Sequence, residues 1–275
     1  MNAQEQAYRK MEAYFLTPRC RASDTEPPRL VFVFASPGAG KSTLVKSRLN
    51  GQFAETGAVN LEIDELKTFI PAGQNVAKTA DAWFLRLIDK AISERRNLLV
   101  FRQRSMLLPG QTRRLYQKAK AAGYVTQASF LALDKERSRL GMVHRYEFAL
   151  ENEVRAPELN RVNYPRRPDF LCHYIFYKAL PVMQHACSFW KSVDVVDVYD
   201  RQGERLAWHD KRTGQGSPLT PFRAIRCERT RRWNIWEKNK FNRRRAEAET
   251  KMKEHGRGWF ALLKFKLLTL TFKSR

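Results

Sequence analysis

Residues 30–42 constrain the fold more than any other stretch. Leu30-Val31-Phe32-Val33-Phe34-Ala35 is an unbroken apolar run, short, β-branched and aromatic. That is the pattern of a strand buried on both faces of a parallel sheet. It runs directly into Ser36-Pro37-Gly38-Ala39-Gly40-Lys41-Ser42-Thr43 and then into helix-forming sequence up to Leu49. Small residues between a strand and a helix let backbone N–H groups wrap a phosphate, and the positive end of the helix faces the same anion. Lys41 can bridge the β- and γ-phosphates, and the Ser42 hydroxyl can ligate Mg²⁺. Pro37, Gly38, Ala39, Gly40, Lys41, Ser42 and Thr43 are therefore the candidate nucleotide ligands, with Ser42 the metal ligand and ATP or GTP with Mg²⁺ the implied cofactor. Ala35 stands where the usual pattern has its first glycine.

The rest of the chain repeats the strand–helix alternation. Strands are expected at 58–63, 98–101, 125–133 and 193–199, the last turned by Asp200-Arg201-Gln202-Gly203. Helices are expected at 1–18, around Phe84–Ile92, at 111–122 with Gly123 as its C-terminal cap, from 135 to about 151, and over 170–190 with an interruption at Pro181. Such alternation predicts an α/β fold of the P-loop NTPase/kinase type, a mostly parallel sheet flanked by helices.

Charge is the other unusual feature. Lys and Arg number 51 against 28 Asp and Glu, a net charge of +23, so the partners of this chain are anions: nucleotides, nucleic acid or acidic lipid. From Arg223 to Arg275 there are 17 Lys and Arg and five Glu, so half the net charge sits in the last fifth of the chain. Three readings of this basic helical extension compete. It could be a solvated helical extension whose hydrophobic end packs on the main domain. It could contact nucleic acid through Arg229, Arg231, Arg232, Trp233, Trp236, Lys238, Lys240, Phe241 and Arg243, where cations interleave with aromatics. It could lie on an acidic membrane surface through residues 259–268, which mix bulky apolar groups with Lys264 and Lys266. Cys20, Cys172, Cys187 and Cys227 are too scattered for a metal knuckle and too few for a disulfide scaffold. No signal peptide and no transmembrane segment is legible, so a soluble cytoplasmic protein is expected.

From the first strand to about residue 210 the chain resembles the zeta toxin family. The resemblance rests on ordered segments: Pro37-Gly38-Ala39-Gly40-Lys41-Ser42, then Glu62-Ile63-Asp64-Glu65-Leu66-Lys67, Ala122-Gly123-Tyr124, His144-Arg145-Tyr146-Glu147 and Tyr199-Asp200-Arg201-Gln202-Gly203. It implies a kinase that phosphorylates a small-molecule acceptor, a nucleotide sugar such as UDP-N-acetylglucosamine, and that has an antitoxin protein as partner. It divides the chain into an N-terminal helix and linker (1–28), a kinase domain (29–210) and the basic extension (211–275).

Asp64 is expected at the C-terminal end of a strand beside the loop-bearing one, the edge where ligands bind in open α/β sheets. A carboxylate there can take the proton of an attacking hydroxyl or help order Mg²⁺. The resemblance implies the first role, with Glu62 as a second carboxylate; a solvated turn or a helix N-cap is the plainer reading. Arginines that neutralise the transferring phosphoryl group are the other requirement. The resemblance implies Arg145 and a second arginine about a dozen residues on, Arg155 or Arg161; solvated surface arginines are the alternative. Lys41, Asp64, Arg145 and Arg155 thus form the candidate catalytic set. One segment departs from the family: Phe101-Arg102-Gln103 stands where Glu-Gly-Thr contacts the acceptor. The exchange of an acid for arginines keeps two other functions open, a kinase for nucleic-acid ends or other nucleotides, and a non-catalytic nucleotide switch that recruits a partner.

Overall fold

The computed structural model describes residues 2–17, 20–22, 26–155 and 167–269, with the side chains of 46, 47 and 151–155 excepted. Its frame is a seven-stranded sheet in the order β2-β3-β1-β4-β5-β6-β7. The strands are β1 (Arg29–Ala35), β2 (Val59–Glu62), β3 (Leu98–Phe101), β4 (Val125–Leu131), β5 (Val195–Tyr199), β6 (Arg205–Asp210) and β7 (Gln215–Gly216). The first five pair in parallel, and β6 and β7 add antiparallel to β5.

The apolar run becomes the middle of the sheet because both its faces find cover. Leu30, Phe32 and Phe34 point to one face and pack with Phe84, Tyr116 and Phe130. Val31, Val33 and Ala35 point to the other and pack with Leu44, Leu49 and Leu99. This is the two-residue period of a strand acting on two cores at once. Phe34 stacks on Phe130 with ring centroids 4.9 Å apart.

Helices α1 (Ala3–Phe15), α4 (Val76–Ser93) and α5 (Pro109–Ala121) add their apolar stripes to the first core. Short helices α2 (Lys41–Leu44) and α3 (Ile63–Leu66) follow β1 and β2. α2 continues as a π-helical segment, Val45–Leu49. Gly123, at φ 80°, ends α5 as the sequence anticipates. α6 (Lys135–Arg155) follows β4, and α7 (Phe170–Phe189) precedes β5.

Three expectations need correction. Pro181 does not interrupt α7, which is helical throughout. Burial of Leu180, Met183, Gln184 and Cys187 along one face holds the helix together across the lost amide. Strand β2 is not beside β1, because β3 lies between them. The sheet also continues beyond the Asp200–Gly203 turn. Asp200 accepts from the amides of Gln202 and Glu204 at 2.9 and 2.8 Å, and β6 returns alongside β5.

The basic C-terminal residues form α8 (Pro221–Thr230), α9 (Ile235–Glu254) and α10 (Trp259–Leu268). They close over α6 through a separate cluster of Leu140, Val143, Trp233, Phe241, Ala248, Met252 and Phe265. Beneath it the buried Arg137 guanidinium pairs with Asp134, Glu228 and Glu237. His255 and Arg257 both contact Glu147 of α6, at 2.8 and 3.2 Å. Trp233 and Phe241 are thus interior, and Arg231 is tied to Glu228 and Glu237. Of the aromatics read as base-stacking groups, Trp236 remains on the surface, 79% exposed. In α10, Phe265 is buried while Trp259 and Phe260 face outward. Among the described residues no helix is long and apolar enough to cross a membrane. All four cysteines are free thiols, Cys20 and Cys187 buried, Cys172 and Cys227 exposed.

Candidate functional site

The turn after β1 is built for close approach. Gly38 and Gly40 lie at φ 75° and 97°, in the left-handed region that favours glycine. A Cβ on Gly38 would collide with the backbone of α6, 2.7 Å from the Met142 amide nitrogen and against the Ser138 carbonyl. A Cβ on Gly141 would in turn strike the Gly38 carbonyl. Two glycines thus let α6 rest directly on the loop. Gly40 serves as the N-cap of α2, and its carbonyl accepts from Thr43 and Leu44 at 3.0 and 3.2 Å. The first turn of a helix leaves N–H groups without intrahelical acceptors, and here that turn is Lys41-Ser42-Thr43.

A cleft of about 780 Å³ opens over this loop. That is within the range of small-molecule and cofactor sites, roughly 300–1,000 Å³. The loop residues Pro37, Gly38, Ala39, Gly40, Lys41, Ser42 and Thr43 line it together with Glu62, Asp64 and Arg145. The structure therefore brings the phosphate loop, the two carboxylates after β2 and one of the candidate arginines to one cavity, although β2 is a strand further away than expected. Arg155 is the last residue of α6 and its side chain lies outside the described residues; Arg161 lies outside them altogether.

Lys41 sits 3.5 Å from Glu62 and 5.3 Å from the centre of the Phe101 ring. Burial pushes its ammonium pKa down; Glu62 and Asp64 push it back up, and Arg145 adds to the lowering. Such a lysine gains from an arriving anion that neutralises it. Asp64 accepts a hydrogen bond from Lys67 at 3.1 Å, which holds its carboxylate at the cleft wall. Ser42 is exposed to the cleft. Its hydroxyl lines the same cleft as Glu62 and Asp64, and oxygen donors of this kind suit a hard divalent cation.

Where Arg102 and Arg104 follow β3, the structure uses them on each other's partner. Arg102 is buried, donates to Asp81 at 2.7 Å and to Gln111 at 2.6 Å, and lies over the Phe84 ring. Arg104 pairs with the same Asp81. One carboxylate from α4 thus serves both arginines of the segment that departs from the family pattern and offsets half of their charge.

Arg201 and Arg244 are among the further cations that line the cleft and that the residue-by-residue reading did not assign. Arg201 follows β5 and packs its side chain 3.7 Å from where a Cβ on Gly40 would stand. Arg244 comes from α9. Arg201 belongs to the Tyr-Asp-Arg-Gln-Gly segment already singled out. Arg244 is one of three consecutive arginines, and nothing local distinguishes it from its neighbours.

A family model described as Zeta toxin matches residues 15–213. No curated protein matches the chain in sequence. Among solved structures, the PezAT chromosomal toxin–antitoxin system of Streptococcus pneumoniae is similar in fold, with a TM-score of 0.67 and 17% identity over 92% of this chain and 95% of that one. The native AvrRxo1-ORF1:-ORF2 complex gives a TM-score of 0.59 at 13% identity, covering 98% of this chain and 88% of that chain. The AvrRxo1-ORF1:-ORF2 complex with ATP gives 0.51 at 14% identity, over 78% and 68%.

Proposed function

The chain belongs to the zeta toxin family, and from that premise we propose that it is an ATP-dependent kinase that transfers the γ-phosphate to a hydroxyl of a small molecule, as a zeta-type toxin does. The observation that carries this reading is the meeting of the Gly38–Thr43 loop, Asp64 and Arg145 around one cleft. The loop amides and Lys41 hold the β- and γ-phosphates. Mg²⁺ would supply charge neutralisation between those phosphates, and Ser42 is the residue that would hold it. Asp64 accepts the proton of the acceptor hydroxyl. The hydroxyl oxygen then bonds to the γ-phosphorus, the bond to the β,γ-bridging oxygen breaks, and ADP leaves. Arg145 offsets charge on the transferring group, with Arg155 as its partner at the end of α6. That a structure of this fold is an AvrRxo1-ORF1:-ORF2 complex with ATP supports ATP as the nucleotide.

UDP-N-acetylglucosamine is the acceptor carried over from the family. A second reading, another nucleotide as acceptor, is favoured by Phe101-Arg102-Gln103, where the family's acceptor-side acid is missing. An antitoxin is the proposed protein partner, supported by the toxin–antitoxin system of matching fold, and the cytoplasm the proposed site of action.

The deciding experiment is ADP release by purified protein with ATP and Mg²⁺, with and without UDP-N-acetylglucosamine, beside Lys41→Ala. Acceptor-stimulated release that disappears in Lys41→Ala is the expected result. ATP binding without stimulation moves the search to other nucleotides. A Lys41→Ala variant that turns over normally refutes the proposed site.

A further inference from the structure

We propose that Arg244, on helix α9 beyond the family-matched residues, joins Arg201 in a second phosphate-binding clamp, so that the C-terminal extension completes the nucleotide site. The inference deepens the kinase reading and rests on it.

The first observation is placement. Both arginines line the cleft over the Gly38–Thr43 loop, and Arg201 Nε lies 3.7 Å from where a Cβ on Gly40 would stand. The second is charge without compensation. The two fully buried arginines have carboxylates, Arg137 three and Arg102 Asp81, whereas Arg201 and Arg244 are half-buried. Among the described residues, no carboxylate pairs with Arg201 or Arg244. Their nearest acids are engaged elsewhere, Asp134 with Arg137, and Glu247 with His144 and Arg243. Burial lowers the pKa of both, and that of Arg201 falls to about 10 through burial and then through Arg244 and Arg137. Two part-buried cations in one cleft raise the free energy of the empty site, and a bound polyanion removes that penalty.

The third observation is that Arg244 is held there by architecture. Phe241, Arg244 and Ala248 follow at helical spacing, and Phe241 and Ala248 are buried against α6. Glu247 adds a 3.3 Å contact to His144. Arg243, one position away, is 72% exposed. The ligand class follows from the chemistry. Planar guanidinium forks beside a phosphate loop suit phosphate oxygens. Because Arg201 stands beside the loop at Gly40, those oxygens are assigned to the nucleoside triphosphate rather than to the acceptor.

The test is ATP binding to the full-length chain, titrated without acceptor, for wild type, Arg244→Ala, Arg244→Lys, Arg243→Ala and Lys41→Ala, with thermal melting of each. Losing one charge-assisted contact weakens ATP binding in Arg244→Ala by about 10- to 100-fold. Arg244→Lys, which keeps the charge and loses the fork, falls between, and Arg243→Ala matches wild type. Without ATP, Arg244→Ala melts no lower than wild type, since it removes an uncompensated charge, and it gains less melting temperature on adding ATP. Wild-type ATP affinity in both Arg244 variants overturns the clamp and leaves the kinase reading standing. An increase confined to the acceptor KM also overturns it, because the phosphates held would then be the acceptor's. Wild type that binds ATP no better than Lys41→Ala refutes the kinase reading and the clamp together.

Discussion

Replacing Gly141 by alanine isolates the contact that seats α6 on the phosphate loop. In an open helix the exchange stabilises by roughly 0.5–1 kcal/mol, because alanine has less backbone freedom to lose on folding. At Gly141 the new Cβ would fall inside contact distance of the Gly38 carbonyl oxygen and 3.1 Å from its carbon. Both atoms are backbone, so neither can rotate aside. Restoring ordinary contact separates helix and loop by about 1 Å, and overpacking of this kind costs about 1–3 kcal/mol. With the helix preference subtracted, the net loss is on the order of 1–2 kcal/mol, or about 2–6 °C in melting temperature for a chain this long. The displacement also moves the Gly38–Thr43 loop, the proposed phosphate site. A misplacement of about 1 Å can cost up to about 100-fold in function, so weaker ATP binding should accompany the lower melting temperature. The assay is thermal melting and ATP titration of Gly141→Ala beside Gly110→Ala. Gly110 lies in α5 with nothing within 4 Å of its Cβ position, so Gly110→Ala should melt at or above wild type. If Gly141→Ala does the same and binds ATP normally, the argument that α6 rests on the loop is wrong.

Other outcomes follow from the same geometry. Asp64→Asn should lower turnover by about 10²- to 10⁴-fold while ATP affinity stays close to wild type; full turnover in that variant would end the assignment of Asp64 as base. Glu237 carries a pH signature. The Arg231 guanidinium, helped by the Asn234 amide and Arg137, holds its carboxyl at about 2, against an ordinary value of 4.5. Folding therefore favours the charged form, and its contribution is present above about pH 4.5 and lost as pH falls toward about 2. Glu237→Gln should melt below wild type at pH 7, and the gap should close across that acid range. A gap that stays constant from pH 7 to pH 2 would show that the Glu237 charge does not help hold α9 to α6.

What was legible in the sequence was legible for local reasons. A strand buried on both faces must be apolar at every position, so residues 30–35 announced β1, and the glycines after it announced the loop. β6 was missed because Arg205-Leu206-Ala207-Trp208-His209-Asp210 is only half covered, and half-buried strands carry a weaker pattern. The position of β3 between β2 and β1 is decided by crossover connections, which no local pattern records. Asp64 and Arg145 could be nominated because they sit in recognisable segments. Arg244 could not: Arg243, Arg244 and Arg245 share one propensity and one charge, and tertiary packing alone selects the middle one for the cleft.

The closure of the C-terminal helices over α6 also sets an order of events during synthesis. The contacts joining the two regions are remote in sequence: Arg137 meets Glu237 across 100 positions and Glu147 meets His255 across 108. A chain emerging N-terminus first, at about 5–20 residues per second, presents its sheet and phosphate loop before α9 exists to cover them. Until α8–α10 have been made, α6 keeps Leu140 and Val143 uncovered, and Arg137 lacks two of its three carboxylates. The nascent protein therefore passes through a stage in which the loop after β1 is already built while α9, which packs on α6, is still untranslated.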